Sequence, residues 1–167
     1  MKKINELISN MTKRDIGFRI DEVMTGHHEF EKNCGPKGRL FMEFRGQWGP
    51  DDLRNWINPA SEVFFKQKLS GTVTVEGLCR DVPMTGELAL NYFKDASIKY
   101  SFEFKARQKG YCYVGQKVNI KPWNLLFSHT TCFGRITEKK TGKLVSTSVV
   151  YFKLLSLPKF LASLKLV

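Results

Sequence analysis

Three histidines and their neighbours carry most of the candidate chemistry in this chain. His27 and His28 are adjacent in the run MTGHHEF, and His129 lies in SHTTCF. Adjacent residues on a β-strand point to opposite faces, so at most one of His27 and His28 faces a sheet interior. If that one met His129, Glu29 or Cys132 could join them in a metal or acid–base cluster. A catalytic zinc needs three convergent protein ligands, and no spacing here supplies the third. The motif SHTTC also offers Ser128, Thr130, Thr131 and Cys132 for nucleophilic work. On a strand, Ser128, Thr130 and Cys132 share one face while His129 and Thr131 share the other, so base and nucleophile point apart. The cysteines Cys34, Cys79, Cys112 and Cys132 are unevenly spaced with no CxxC pair, unlike a zinc site. The chain has no GxGxxG fingerprint, no GxxxxGK[ST] loop and no GxSxG elbow. No catalytic group, metal or cofactor is therefore expected. A small hydrolase or isomerase using His129 with His27 or His28 is the enzymatic alternative.

Aromatic residues are the second candidate set. The chain is 13% aromatic and holds 13 phenylalanines, enough apolar surface to offset the entropy of folding. Phe44, Tyr100, Phe102, Phe104 and Phe133 are placed on inward faces. With His27, His28, His129 and Thr131 they form the expected ligand-binding set. The rings would bury the apolar body of a lipid or sterol, and the polar residues would orient its polar end. Stacking on bases needs exposed rings, so nucleic acid is not an expected partner.

The elements that must position these groups follow from periodicity. Ile4, Leu7, Ile8 and Met11 fall at helical spacing, which predicts an amphipathic helix within residues 1–13. Residues 16–31 read as extended with a kink or bulge at Gly26. RLFMEFRGQW alternates, with Leu40, Met42 and Phe44 on one face. A short helix is predicted near 50–57, started by Pro50 and the acidic pair Asp51 and Asp52, with Leu53, Trp56 and Ile57 as its apolar stripe and Asn58-Pro59 as its stop.

Beyond it nearly everything alternates with period two, as in SIKYSFEFKAR, where Ile98, Tyr100, Phe102 and Phe104 oppose Lys99, Ser101, Glu103 and Lys105. The connections at 94–96, 108–110 and 138–142 are short enough for hairpins and too short for parallel crossovers. Eight or nine hairpin-joined strands leave exposed edges unless the sheet closes. The fold expected is therefore mainly β, a single domain over 1–167 built as an antiparallel up-and-down, lipocalin- or calycin-like barrel.

The segment GTVTVEGLCRDVPMTGELALNYFKDASIKYSFEFKARQKGYCYVGQKVNI, followed by PWNLLFSHTTCFGRIT, resembles a β-rich module of cholesterol-oxidase-like flavoproteins in the glucose–methanol–choline oxidoreductase family. Gly71, Gly86, Tyr100, Phe102, Gly110, Gly115, Lys117, Thr130 and Thr131 carry the match, MTGHHEF resembles its opening strand, and the likeness spans residues 23–155. The resemblance implies an accessory domain linked to sterol or lipid metabolism, or a docking module for a separate oxidoreductase. This chain has no flavin-binding domain, so oxidase activity does not carry over.

The formal net charge is +11, with the lysines dispersed as on solvated strand faces. The opening MKKINELISNMTKR has no apolar h-region, so no signal peptide is expected and the setting is read as cytoplasmic, with reduced thiols. The tail at 154–167 is apolar but broken by Pro158, Lys159 and Lys165. It and the basic exterior suggest peripheral contact with an anionic membrane.

Overall fold

Strict alternation between short polar turns allows one solution here, a sheet that rolls up and hides one face of every strand. The computed structural model describes residues 16–118, 131–152 and 165–166. Its strands are β1 (Phe18–Phe30), β2 (Leu40–Trp48), β3 (Lys66–Val75), β4 (Cys79–Asn91), β5 (Ser97–Ala106), β6 (Lys109–Lys117), β7 (Thr131–Glu138) and β8 (Leu144–Phe152), with the two-residue β9 (Lys165–Leu166). Each of the eight main strands pairs antiparallel with the next, and β1 pairs with both β8 and β2, which closes the barrel. The pair β9 extends the start of β1 through Phe18 and Arg19. The expected N-terminal helix lies outside the described residues, as does most of the apolar tail.

Among the described residues, two short helical turns interrupt the strands, α1 (Leu53–Ile57) and α2 (Tyr92–Asp95). Asp52, rather than Pro50, starts α1, because its carboxylate accepts from the N–H groups of Arg54 and Asn55. Asn58 ends the helix as the following proline requires. The expected apolar stripe is narrower than its sequence suggests: Trp56 is buried, while Leu53 and Ile57 are exposed. At the β5–β6 hairpin the turn falls on Arg107 and Gln108, both left-handed, one residue earlier than the spacing suggests. That primed geometry matches the twist of the flanking strands. Gly26 makes no bulge, since β1 keeps unbroken register with β2 and β8 on both sides of it. A side chain there would instead run into the Val149 carbonyl, so the glycine allows close backbone approach.

Large and small residues interlock inside the barrel. Phe102 stacks on Tyr113 with ring centroids 4.6 Å apart, and Phe44 lies 5.3–5.7 Å from Phe102, Tyr100 and Tyr113. Tyr113 fits because the cross-strand pair facing it is Gly115 and Gly134, where an added Cβ would collide with its ring and hydroxyl. Gly46 similarly leaves room for Leu69. Replacing Gly134 with alanine is expected to cost about 1–3 kcal/mol through overpacking. It should lower the urea midpoint with unchanged m-value, whereas the exposed neighbouring change Arg135→Ala stays within about 0.5 kcal/mol.

Candidate functional site

The structure divides the expected ligand-binding residues between two faces. His28, Phe44, Tyr100, Phe102 and Phe104 are buried inside the barrel, and His27 is on the outside. His129 lies outside the described residues. The register expected for β7 is reversed. Cys132, Gly134 and Ile136 point inward, while Phe133 is 57% exposed and Thr131 shares its outer face. Pairing decides this, because Lys117↔Cys132 and Tyr113↔Ile136 match inward residues with inward residues. Glu29 is exposed on the outer side of β1 and Cys132 is buried, so they cannot converge on one ion. No group of three His, Cys, Asp or Glu among the described residues could hold a metal.

The interior rings do not line an open calyx at mid-height. Phe44, Tyr100, Phe102 and Tyr113 are each at most 1% exposed, so side chains fill the space between them. What alternation did not reveal is a charged cluster at the end of this packed column. Glu22 and Lys117 face inward with side chains only 7% and 4% exposed, and Lys117 Nζ donates to Glu22 Oε1 at 2.5 Å. The Tyr100 hydroxyl donates to the same carboxylate at 2.9–3.0 Å, and Trp48 Nε1 donates to Oε2 at 3.2 Å. Lys117 Nζ also lies 5.0 Å from the Tyr100 ring centroid and 5.8 Å from that of Phe152. Burial, reinforced by the Glu22 charge, pushes the Tyr100 phenol well above its ordinary range, so it remains a donor. Burial likewise pushes the Cys132 thiol to about 11, which keeps it protonated and unreactive at neutral pH.

A buried charge pair tolerates removal of both partners far better than removal of one. Charge alone places Glu22 and Lys117 on the solvated face, and the structure turns both inward. Their spacing held the signal, since Glu22 is in phase with Met24 and Lys117 with Tyr113.

The opposite end of the barrel holds His28. Its Nδ1 lies 2.8 Å from Ser146 Oγ and its Nε2 lies 3.0 Å from the Glu76 carbonyl. A carbonyl can only accept, so the neutral ring carries its proton on Nε2 and Nδ1 accepts. Ser146 has one hydroxyl hydrogen to divide among Nδ1, the Glu29 carbonyl 2.8 Å away and the Thr147 carbonyl at 3.3 Å. Burial lowers the His28 pKa from its ordinary 6.5, against the opposing pull of Glu76.

A groove of about 610 Å³ runs along the outside of β6, β7, β8 and β1. Registers align Gln116, Phe133, Val149, His27 and Phe41 in one transverse row. Phe133 and Phe41 are exposed in that row, and exposed Val114 lies beside it. Thr147, Arg135 and Glu29 form a polar rim. Thus His27 and Phe133 both line this groove outside the barrel, on the same side of the wall as Thr131 and opposite to His28, Phe44, Tyr100, Phe102 and Phe104. No family model, curated protein or solved structure matches this chain. No described helix is long and apolar enough to cross a membrane.

Two outcomes follow from the interior. Lys117→Met should destabilise the fold by about 3–5 kcal/mol by stranding Glu22, and adding Glu22→Gln should recover most of the loss in denaturant titrations. For His28, the lowered native pKa means that the unfolded chain binds the extra proton first. Its stabilising contribution is present above pH 6.5 and lost as pH falls through the window below. Unfolding free energies measured between pH 8 and pH 5 should decline for the wild type, on the scale set by roughly 1.4 kcal/mol per pH unit per proton. The decline should be shallower for His28→Gln.

Proposed function

We propose that the chain is a non-catalytic binding or accessory domain that takes a hydrophobic small molecule, a lipid or sterol, in its outer groove. The observation that carries this reading is the row of Phe133, Val149, His27 and Phe41 on the solvent side of a barrel whose centre is filled. Apolar side chains gathered on the outside of a packed barrel mark a binding surface. The groove volume falls in the range of ordinary ligand pockets. Phe133, Val114 and Val149 would cover a ligand's apolar body, and His27, Gln116 and Thr147 offer hydrogen bonds to a hydroxyl. The resemblance to the sterol-linked module points to the same ligand class. Cytoplasmic residence, with peripheral contact to anionic membranes, belongs to this reading because the basic surface would draw the domain to lipid headgroups.

A second reading, a docking module for a separate oxidoreductase, is favoured by the length of the row. Five strands at the usual spacing carry it over about 19 Å, a span that a partner protein could cover.

Delipidated protein should melt higher on titration with cholesterol, because a ligand that binds only the folded state stabilises it by RT ln(1 + [L]/Kd). Phe133→Ser should abolish that rise while changing apo stability by no more than about 0.5 kcal/mol, since the side chain is exposed. Equal shifts in both proteins, or no shift with cholesterol or phospholipid, would remove the lipid reading.

A further inference from the structure

We infer that the outer groove prefers an amphiphile with an anionic head, a sulfate, phosphate or carboxylate, and that Arg135 holds its oxygens. This deepens the lipid reading of the groove and rests on it. Arg135 and Phe133 lie two residues apart on the outer face of β7, and both line the groove. Their Cα atoms are therefore roughly 7 Å apart along one strand. Register places Val114 and Thr147 on either side of Arg135, and Gln116 and Val149 on either side of Phe133. Val118, two residues beyond Gln116, continues the lining and is 44% exposed. From Arg135 toward Val118 the groove thus runs from a cationic end to an apolar one, over about 13 Å. That polarity fits a molecule lying along β7, with its head at Arg135 and its body over Phe133.

The charge at the head end is uncompensated. Arg135 is exposed and, among the described residues, makes no ion pair or hydrogen bond. The carboxylates around it are already engaged. Glu29, the acidic residue of the groove lining, pairs with Arg39, Glu138 of β7 pairs with Lys109, and Glu103 of β5 pairs with Lys139. Glu29 is also two strands away from Arg135, with Thr147 between them. A guanidinium offers five N–H donors in a planar fork that matches the paired oxygens of such anions. The Thr147 hydroxyl stands across from it as a neutral donor. A hydroxyl head would use little of that fork and none of its charge, whereas an anion uses both. Exposure to solvent limits the gain to that of a rim contact.

The test compares cholesterol with cholesterol sulfate, which share a body and differ in the head, each delivered from cyclodextrin to the full chain. Cholesterol sulfate should bind about 5-fold tighter at low ionic strength, and its advantage should shrink as salt rises. Arg135→Gln should bring the two affinities together by weakening cholesterol sulfate. Lys140→Gln removes an equal charge from the β7–β8 turn and should leave the preference intact. Inorganic sulfate at the same concentration should not compete, and competition by it would overturn the headgroup as the source of the anion. Cholesterol binding that depends on Phe133 but gains nothing from the sulfate would overturn the anion preference and leave the lipid reading standing. Equal loss of preference in both charge variants would also overturn it, by tracing the effect to the diffuse basic surface. Binding of neither sterol would remove both readings.

Discussion

An eight-stranded barrel has a fixed interior, and every inward side chain must share it. That constraint governs this molecule. Where Tyr113 enters, the facing positions on β6 and β7 are Gly115 and Gly134. Where Leu69 enters, β2 offers Gly46, and Gly46 is itself paired with Gly71 of β3. Phe44, Tyr100 and Phe102 then complete a packed column in which one added methyl group forces something to move. Among the described residues, a column filled in this way leaves ligand-sized space on the outer wall and beside the connections.

The ends of that column are polar in different ways. At one end Glu22 and Lys117 neutralise each other while Tyr100 and Trp48 supply further donors to the carboxylate. Two of the positions on which the family resemblance rests, Tyr100 and Lys117, thus meet at a residue that the resemblance did not include. At the other end His28 is neutral and tied to Ser146 and Glu76. Neither arrangement presents an exposed nucleophile. The charge pair fixes inward register for β1 and β6, because a one-residue slip of either strand would strand a buried charge. A buried pair of this kind adds little net stability, but it penalises a slipped register.

Much of this was legible from alternation. The hairpin lengths gave antiparallel pairing, and the phases of β2 and β5 were read correctly through Phe44 and Tyr100. The opposition of His27 and His28 followed from strand geometry alone. The phase expected for β7 is reversed because Phe133 is its largest apolar residue, and size alone places a large aromatic inside. The better guide was its company: Phe133 is in phase with Thr131 and Arg135, whereas Ile136 is in phase with Cys132 and Gly134. Glu22 and Lys117 were hidden for the converse reason, since charge alone suggested solvent. The cleft beside the β2–β3 connection depends on how that connection folds back onto β3, a long-range contact that no local periodicity encodes.

The outer groove and the cleft beside the β2–β3 connection differ in how they relate to the packed core. The outer groove is a property of strand register, so its row of Phe133, Val149 and His27 is as rigid as the barrel wall. The cleft at Gln67 joins one rigid wall to one connection, and Trp48 links it to the interior by donating to Glu22. A connection can change in length and composition without disturbing the column beneath it, which is why binding specificity accumulates in loops held by a rigid scaffold. The filled barrel therefore acts as a platform. Its strands set the shape of the outer groove, and its β2–β3 connection walls the cleft beside Trp48 and Trp56.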